Sequence, residues 1–312
     1  MPSILTKQEA EREDILDISQ NGQLDSLGSF KARITEGVFK ASLGKRQIPI
    51  EVMYQGDGAN LYAAYSSSPA YYLYQAERSI LQTYADEMAS LIADRSSIIE
   101  LGAGSLEKTR VLLQAVAQAP QVADGIDYYA LDIIATHWSS LWLHCRIGNL
   151  TVEGAVATVK SIADVIVDGD MILIGVDGWA SDTIMDAAYE PADKLVLNTL
   201  MNANEILGQA VFDMSKFVYS AQVNLLEGRN ECCCMASEAV ELNYQGETVR
   251  MERGERILVV PSYKYADEQV VDMVKATGCL EVVRRFGTPD DAEIHYGVWI
   301  WRKTARSTMS FK

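Results

Sequence analysis

Residues Ile98 to Arg110, Ile-Ile-Glu-Leu-Gly-Ala-Gly-Ser-Leu-Glu-Lys-Thr-Arg, have the spacing with the most chemical content in this chain. An apolar strand signal meets an acid, Glu100, enters a turn at Gly102 and Gly104, and opens a helix at Glu107-Lys108-Thr109. Glycine lets a ligand approach the backbone, and the free N–H groups of a helix start face it. Three residues after Gly104 stands Glu107, so the third glycine of the dinucleotide fingerprint is missing. No Gly-Lys-Ser/Thr follows, which removes a phosphate loop of the ATPase kind. Glu100 before the turn and Asp132 at the end of the next strand signal suit a ligand with an amino-acid head and a ribose. A carboxylate at the second position accepts hydrogen bonds from two ribose hydroxyls. S-adenosylmethionine has this pair of ends.

The elements that must position these residues follow from periodicity. Ala76, Ile80, Tyr84, Met88 and Leu91 recur at helical spacing ahead of a strand at 98–101. Then come a helix at 106–117, strands at 127–132 and 141–145, a helix at 152–166 and a strand at 171–176. Strands alternating with helices predict a parallel α/β sheet. Beyond residue 180 the pattern changes to two helices ending near Leu207, then mostly strands: 217–226, 231–237, a hairpin about Gln245-Gly246, and 257–260. A helix at 267–277 and strands at 280–286 and 295–302 follow. Residues 75–178 are thus expected to form a ligand-binding domain, with 8–74 and 179–312 forming an α+β domain beside it.

The chain has 312 residues, 48% hydrophobic and 22% charged, enough for a sizeable core. A formal net charge of -16 argues against a nucleic-acid partner, which selects basic stripes. The first twenty residues are polar and acidic, unlike a signal peptide, and no apolar run approaches the roughly 20 residues of a membrane helix. A cytoplasmic protein without a membrane partner is expected. The cysteines are Cys145, Cys232, Cys233, Cys234 and Cys279. Three of them are adjacent, no Cys/His spacing fits zinc, and the expectation is reduced thiols with no metal. His144 and His295 receive no role.

The Glu-Leu-Gly-Ala-Gly-Ser-Leu-Glu-Lys-Thr-Arg run resembles the signature of the histidine-specific methyltransferase family. That family includes the ergothioneine-pathway histidine N-methyltransferases and the fungal 4-dimethylallyltryptophan N-methyltransferases. Tyr54, Gly58, Leu61-Tyr62 and Pro69-Ala70-Tyr71-Tyr72 resemble its substrate-side segment, Ile147-Gly148-Asn149 an internal element, and Gly175-Val176-Asp177 a strand end. Ala188-Tyr189 resembles its helix tyrosine, and Ser262-Tyr263-Lys264-Tyr265 a run of the fungal tryptophan branch. The resemblance implies a Rossmann-like class I methyltransferase sheet with an α+β substrate domain, and S-adenosylmethionine as cofactor. It implies that Gly102, Gly104, Ser105 and Lys108 surround the methionine moiety and that Asp132 holds the ribose. Tyr54, Tyr71, Asn149 and Tyr189 would enclose the amino and carboxylate groups of a small amino acid, with Ser262 at its side-chain end. Tyr54 and Asn149 would orient the reacting amine. Tyr62 and Tyr72 are assigned to core or surface.

Histidine-specific members place a glutamate two residues before this serine, and here that residue is Val260. An apolar side chain cannot hold an imidazole N–H, but it packs against a flat aromatic. The run Glu231-Cys232-Cys233-Cys234-Met235 also replaces a Met-bearing strand. Both departures favour a tryptophan-like substrate of secondary metabolism, in the manner of alkaloid biosynthesis, over histidine.

Eight residues, Ile133 to Ser140, separate Asp132 from Leu141. A crossover between parallel strands needs at least about 10–12. One strand–helix unit of the family pattern is therefore expected to be missing after Asp132. A genuine deletion, a faulty gene model and an engineered deletion would each produce this. The loss would remove a wall of the adenine pocket, which raises the alternative of an impaired relic that only binds small molecules.

Overall fold

The computed structural model describes residues 26–102, 106–131, 147–289 and 292–305. Helices are α1 (Ser26–Ile34), α2 (Gly58–Ser66), α3 (Tyr72–Ala89), α4 (Thr109–Val116), α5 (Val152–Val165), α6 (Asp182–Tyr189), α7 (Asp193–Leu207) and α8 (Asp267–Thr277). Strands are β1 (Ser97–Leu101), β2 (Asp127–Leu131), β3 (Met171–Ala180), β4 (Phe217–Asn224), β5 (Arg229–Ala236), β6 (Val240–Tyr244), β7 (Glu247–Met251), β8 (Arg256–Tyr263), β9 (Leu280–Gly287) and β10 (Ile294–Lys303).

Alternation along β10 dictates the central layer. Tyr296, Val298 and Ile300 pack with α3 and α4, whereas Trp299 and Trp301 pack with α5 and α8. Successive strand side chains point to opposite faces, so a strand apolar on both must be covered on both. In α3, Ala76, Ile80, Leu81, Ala85 and Met88 form the buried stripe that covers one face. The order of this sheet is β3-β10-β9, with both ladders antiparallel. The strands expected at 280–286 and 295–302 belong by sequence to the second half of the chain, yet they join β3 of the first half; the short link between β9 and β10 makes those two antiparallel neighbours. The parallel pair is β1 with β2, from Ser97↔Asp127 to Leu101↔Leu131. Among the described residues no strand joins β1 to β3. The expected strand at 141–145 and the start of the chain lie outside the described residues.

The α+β expectation for the second half holds. Strands β4-β5-β8 form an antiparallel sheet whose inner face, with Cys232, Cys234, Ile257 and Val259, packs on α7. Helix α7 ends where Gly208 turns left-handed at φ 73°. The hairpin β6–β7 turns through Gln245 and Gly246, at φ 49° and 87°, as a two-residue turn requires. Two boundaries differ from expectation. Leu106, at φ 59°, is still in the turn, so α4 starts at Thr109 and Glu107-Lys108 precede it. Strand β3 runs on past Val176 to Ala180, which leaves Asp177 inside the strand.

Candidate active site

Tyr54 ends a short 3-10 turn, Ile50–Tyr54, whose Val52 and Met53 are buried. The amide of Asn202 on α7 donates to the carbonyls of Val52 and Gln55, both at 2.8 Å, and so fixes that turn. Gly58 must be glycine here, because a Cβ would stand 1.9 Å from the Met53 carbonyl oxygen. From Tyr54 a run of aromatic contacts leads inward. Tyr54 meets Tyr62 edge-on with ring centres 5.4 Å apart, and Tyr65 lies 4.7 Å from Tyr71. The Tyr65 hydroxyl donates to the Ala188 carbonyl at 3.0 Å, and the Tyr219 hydroxyl to the Tyr189 carbonyl at 2.6 Å. Two tyrosines from separate elements thus pin the end of α6 that carries Tyr189.

Tyr189 Oη lies 2.7 Å from Ser262 Oγ and accepts from Lys264 Nζ at 2.7 Å. Lys264 also donates to Ser262 Oγ at 3.0 Å and to Asp177 Oδ2, and Tyr72 Oη donates to the same carboxylate at 3.0 Å. The Lys264 side chain is 0% exposed and that of Asp177 is 5% exposed. Burial alone would lower the Lys264 pKa, but the adjacent Asp177 and Tyr189 reverse this and hold the ammonium above its usual range. Burial pushes the Asp177 carboxyl up, against the pull of Lys264 and Tyr72. The Tyr189 hydroxyl is likewise raised by burial.

Of the residues expected to bind substrate, the fold brings Tyr54, Tyr71, Tyr189, Val260 and Ser262 onto one apolar cluster or its edge. Val260 is half-buried on the inner face of β8, opposite Cys232 of β5. The Cys232 sulfur lies 3.4 Å from the Tyr219 hydroxyl oxygen, and burial pushes its thiol pKa up to about 11. Asn149 closes a short turn, Ile147–Asn149, packed against β8 and β3, and the Tyr265 hydroxyl donates to the Leu150 carbonyl directly after it.

The residues that reasoning from sequence passed over are Asp177, Lys264 and Tyr72. Tyr72 is buried, as expected of a core residue, but its hydroxyl belongs to this group. A signal existed. An aspartate inside the apolar run Met171–Ala180 and a lysine directly after the apolar strand Arg256–Tyr263 each need a partner of opposite charge when buried.

On the cofactor side, β1 and β2 end level at Leu101 and Leu131, and Gly102 leaves β1 at φ 76°. A side chain there would be strained, and no side chain caps the start of α4. Both features fit a ligand that runs along exposed backbone. Gly104, Ser105 and Asp132 lie outside the described residues. Lys108 is turned to Glu77 and lies 5.7 Å from the Tyr74 ring centre, while the Tyr74 hydroxyl donates to Glu107 at 2.7 Å. Glu100 accepts from the hydroxyls of Thr109 and Tyr128. Helix α3 therefore supplies Tyr72 to the Asp177 group and Tyr74 and Glu77 to the glycine-turn flank.

The family model described as histidine-specific methyltransferase, SAM-dependent, matches residues 30–142 and 136–298. The two matched stretches meet in the short segment after Asp132. Ergothioneine biosynthesis protein 1 of Neurospora crassa is 28% identical over 354 aligned positions, covering 98% of this chain and 38% of that protein. That alignment is longer than the chain of 312 residues, so the relative carries positions without a counterpart here. N-methyltransferase dtpB of Aspergillus flavus is 24% identical, over 85% of this chain and 86% of its own length. L-tryptophan methyltransferase trpM of Psilocybe serbica is 26% identical, over 86% and 93%. The chain spans well under half of the Neurospora protein and most of the other two. This chain belongs to the histidine-specific, S-adenosylmethionine-dependent methyltransferase family.

Proposed function

We propose that the chain methylates the amino nitrogen of a small aromatic, tryptophan-like amino acid. The observation that carries this reading is the absence of a spare carboxylate, among the described residues, on the wall around Tyr189 and Ser262. Val260 is apolar, and Asp177 is already engaged by Lys264 and Tyr72. Glu231 points to the opposite face of β5, where Arg229, Asn224 and Gln222 donate to it. An imidazolium entering here would find no free carboxylate to pair with, whereas an indole-like ring presents more apolar area to Val260 and the tyrosines. The similarity to N-methyltransferase dtpB and to L-tryptophan methyltransferase trpM supports methylation at nitrogen and a tryptophan substrate.

The bound cofactor would supply a sulfonium methyl group open to in-line displacement. Gly102, Gly104, Ser105 and Lys108 are the residues proposed to hold its methionine end, and Asp132 its ribose. The protein's own task is to present a neutral amine, aligned and dry. Tyr54 and Asn149 are proposed to orient the nitrogen lone pair. Tyr71, Tyr189, Val260 and Ser262 are proposed to hold the rest of the substrate. Among the described residues no helix is long and apolar enough to cross a membrane. Four buried free thiols among the described residues and the net charge of -16 support a cytoplasmic location and small-molecule rather than nucleic-acid partners.

Mass spectrometry of products from tryptophan, 4-dimethylallyltryptophan, tyrosine and histidine with S-adenosylmethionine tests the reading. We expect methylated tryptophan or its prenylated derivative. Faster turnover of histidine would replace this reading with histidine N-methylation. Absence of turnover, together with absence of calorimetric cofactor binding, would favour the relic, which the break in the family pattern after Asp132 motivates.

A further inference from the structure

Lys264 has three donor hydrogens and no acceptor. All three are committed, one each to Asp177 Oδ2, Tyr189 Oη and Ser262 Oγ. Tyr72 gives its hydroxyl hydrogen to the same Asp177 carboxylate. Tyr189 Oη and Ser262 Oγ, 2.7 Å apart, share one further hydrogen bond. Of their two hydroxyl hydrogens one is consumed between them, so the pair presents a single hydroxyl hydrogen outward. Tyr189 and Ser262 are 4% and 8% exposed, which leaves water little access to that hydrogen. Without Lys264 neither oxygen would be obliged to accept from behind. Both hydroxyls could then rotate, and the pattern of donors and lone pairs facing the substrate would no longer be fixed.

We propose that Lys264, held by Asp177 and Tyr72, is a positioning residue that sets the direction of the Tyr189 and Ser262 hydroxyls toward the substrate. This rests on the aromatic amino-acid reading of the same site. Lys264 does not touch the substrate, so its whole effect passes through two oxygens, and that makes it separable from a fold-keeping role.

The test uses the full chain and a charge-matched lesion, Asp177→Asn with Lys264→Met, which leaves no unpaired buried charge. It is made in the wild-type background and in Tyr189→Phe with Ser262→Ala. In the wild-type background kcat/KM for tryptophan should fall about 10- to 100-fold, with the KM for S-adenosylmethionine unchanged. In the background lacking both hydroxyls the same lesion should cost less than about 3-fold, because nothing remains to position. An equal loss in both backgrounds, or no loss in the first, overturns the proposal. If the charge-matched protein does not fold, Tyr72→Phe replaces it. That variant removes one donor from Asp177, and its few-fold loss should again vanish without the two hydroxyls. If the wild-type protein neither turns over nor calorimetrically binds tryptophan, the functional reading falls and this proposal falls with it. If wild type is active and the loss is additive, only the positioning role falls.

Discussion

Two parts of the molecule each carry a lysine–carboxylate pair, and they differ in everything around it. Lys108 and Glu77, beside the glycine turn, keep 33% and 21% of their side chains exposed, whereas Lys264 and Asp177 keep 0% and 5%. The apolar surroundings differ in the same sense. Ile99 of β1 and Tyr129 of β2 are 59% and 53% exposed, while Leu242, Met251 and Ile257 of the other half are fully covered. The region proposed for the amine is therefore built in advance, with hydroxyls and charges placed by packing. The region proposed for the methyl donor leaves apolar side chains of β1 and β2 exposed.

The comparison yields predictions that can break it. The largest effect is expected from Lys264→Met alone, which strands a buried carboxylate and should cost about 3–5 kcal/mol in urea unfolding. The matching change Lys108→Met should cost about 0–1 kcal/mol. Equal losses would erase the contrast. Next, Leu242→Ala, at a fully buried site, should cost about 2–5 kcal/mol by the same measurement.

A third expectation concerns alkali. Cys232 is raised from 9.0 to about 11, so folding favours its neutral thiol. Stability from this source is complete below pH 9 and declines as pH rises toward 11, by on the order of 2–3 kcal/mol. Guanidinium midpoints at pH 8 and pH 10.5 should separate in the wild type and move closer together in Cys232→Ala. Smallest of all, Ile99→Ser should change stability by less than about 0.5 kcal/mol. A loss like that of Leu242→Ala would mean that the β1–β2 face is covered in solution, and the contrast would need revision.

Period and punctuation made most elements legible. Helix α8 matches its expected limits, and Gln245-Gly246 marked its hairpin because both residues must take positive φ. The glycine turn and its Glu-Lys-Thr-Arg tail pointed to the family. Direction and pairing were not legible. That β10 would enter between β3 and β9 depends on contacts across more than a hundred residues, which no local pattern encodes. Residue roles were lost in the same way. Lys264 read as part of a motif, and Asp177 as a strand end, because only the fold brings them together. Lys108, expected beside the cofactor, also contacts Glu77, a partner 31 residues upstream that no local pattern marks.

The clamp that Asn202 places on the turn bearing Tyr54 has a consequence for inheritance. A tyrosine near the front of the chain is held by an amide about 150 residues later. Those two stretches must travel together. A chimaera that joins the first 70 residues of this chain to an α7 without an amide at position 202 would keep Tyr54 but leave it on an unfastened loop. Where the residue at position 202 differs, exchange of the Tyr54 segment should therefore succeed only when α7 is swapped with it.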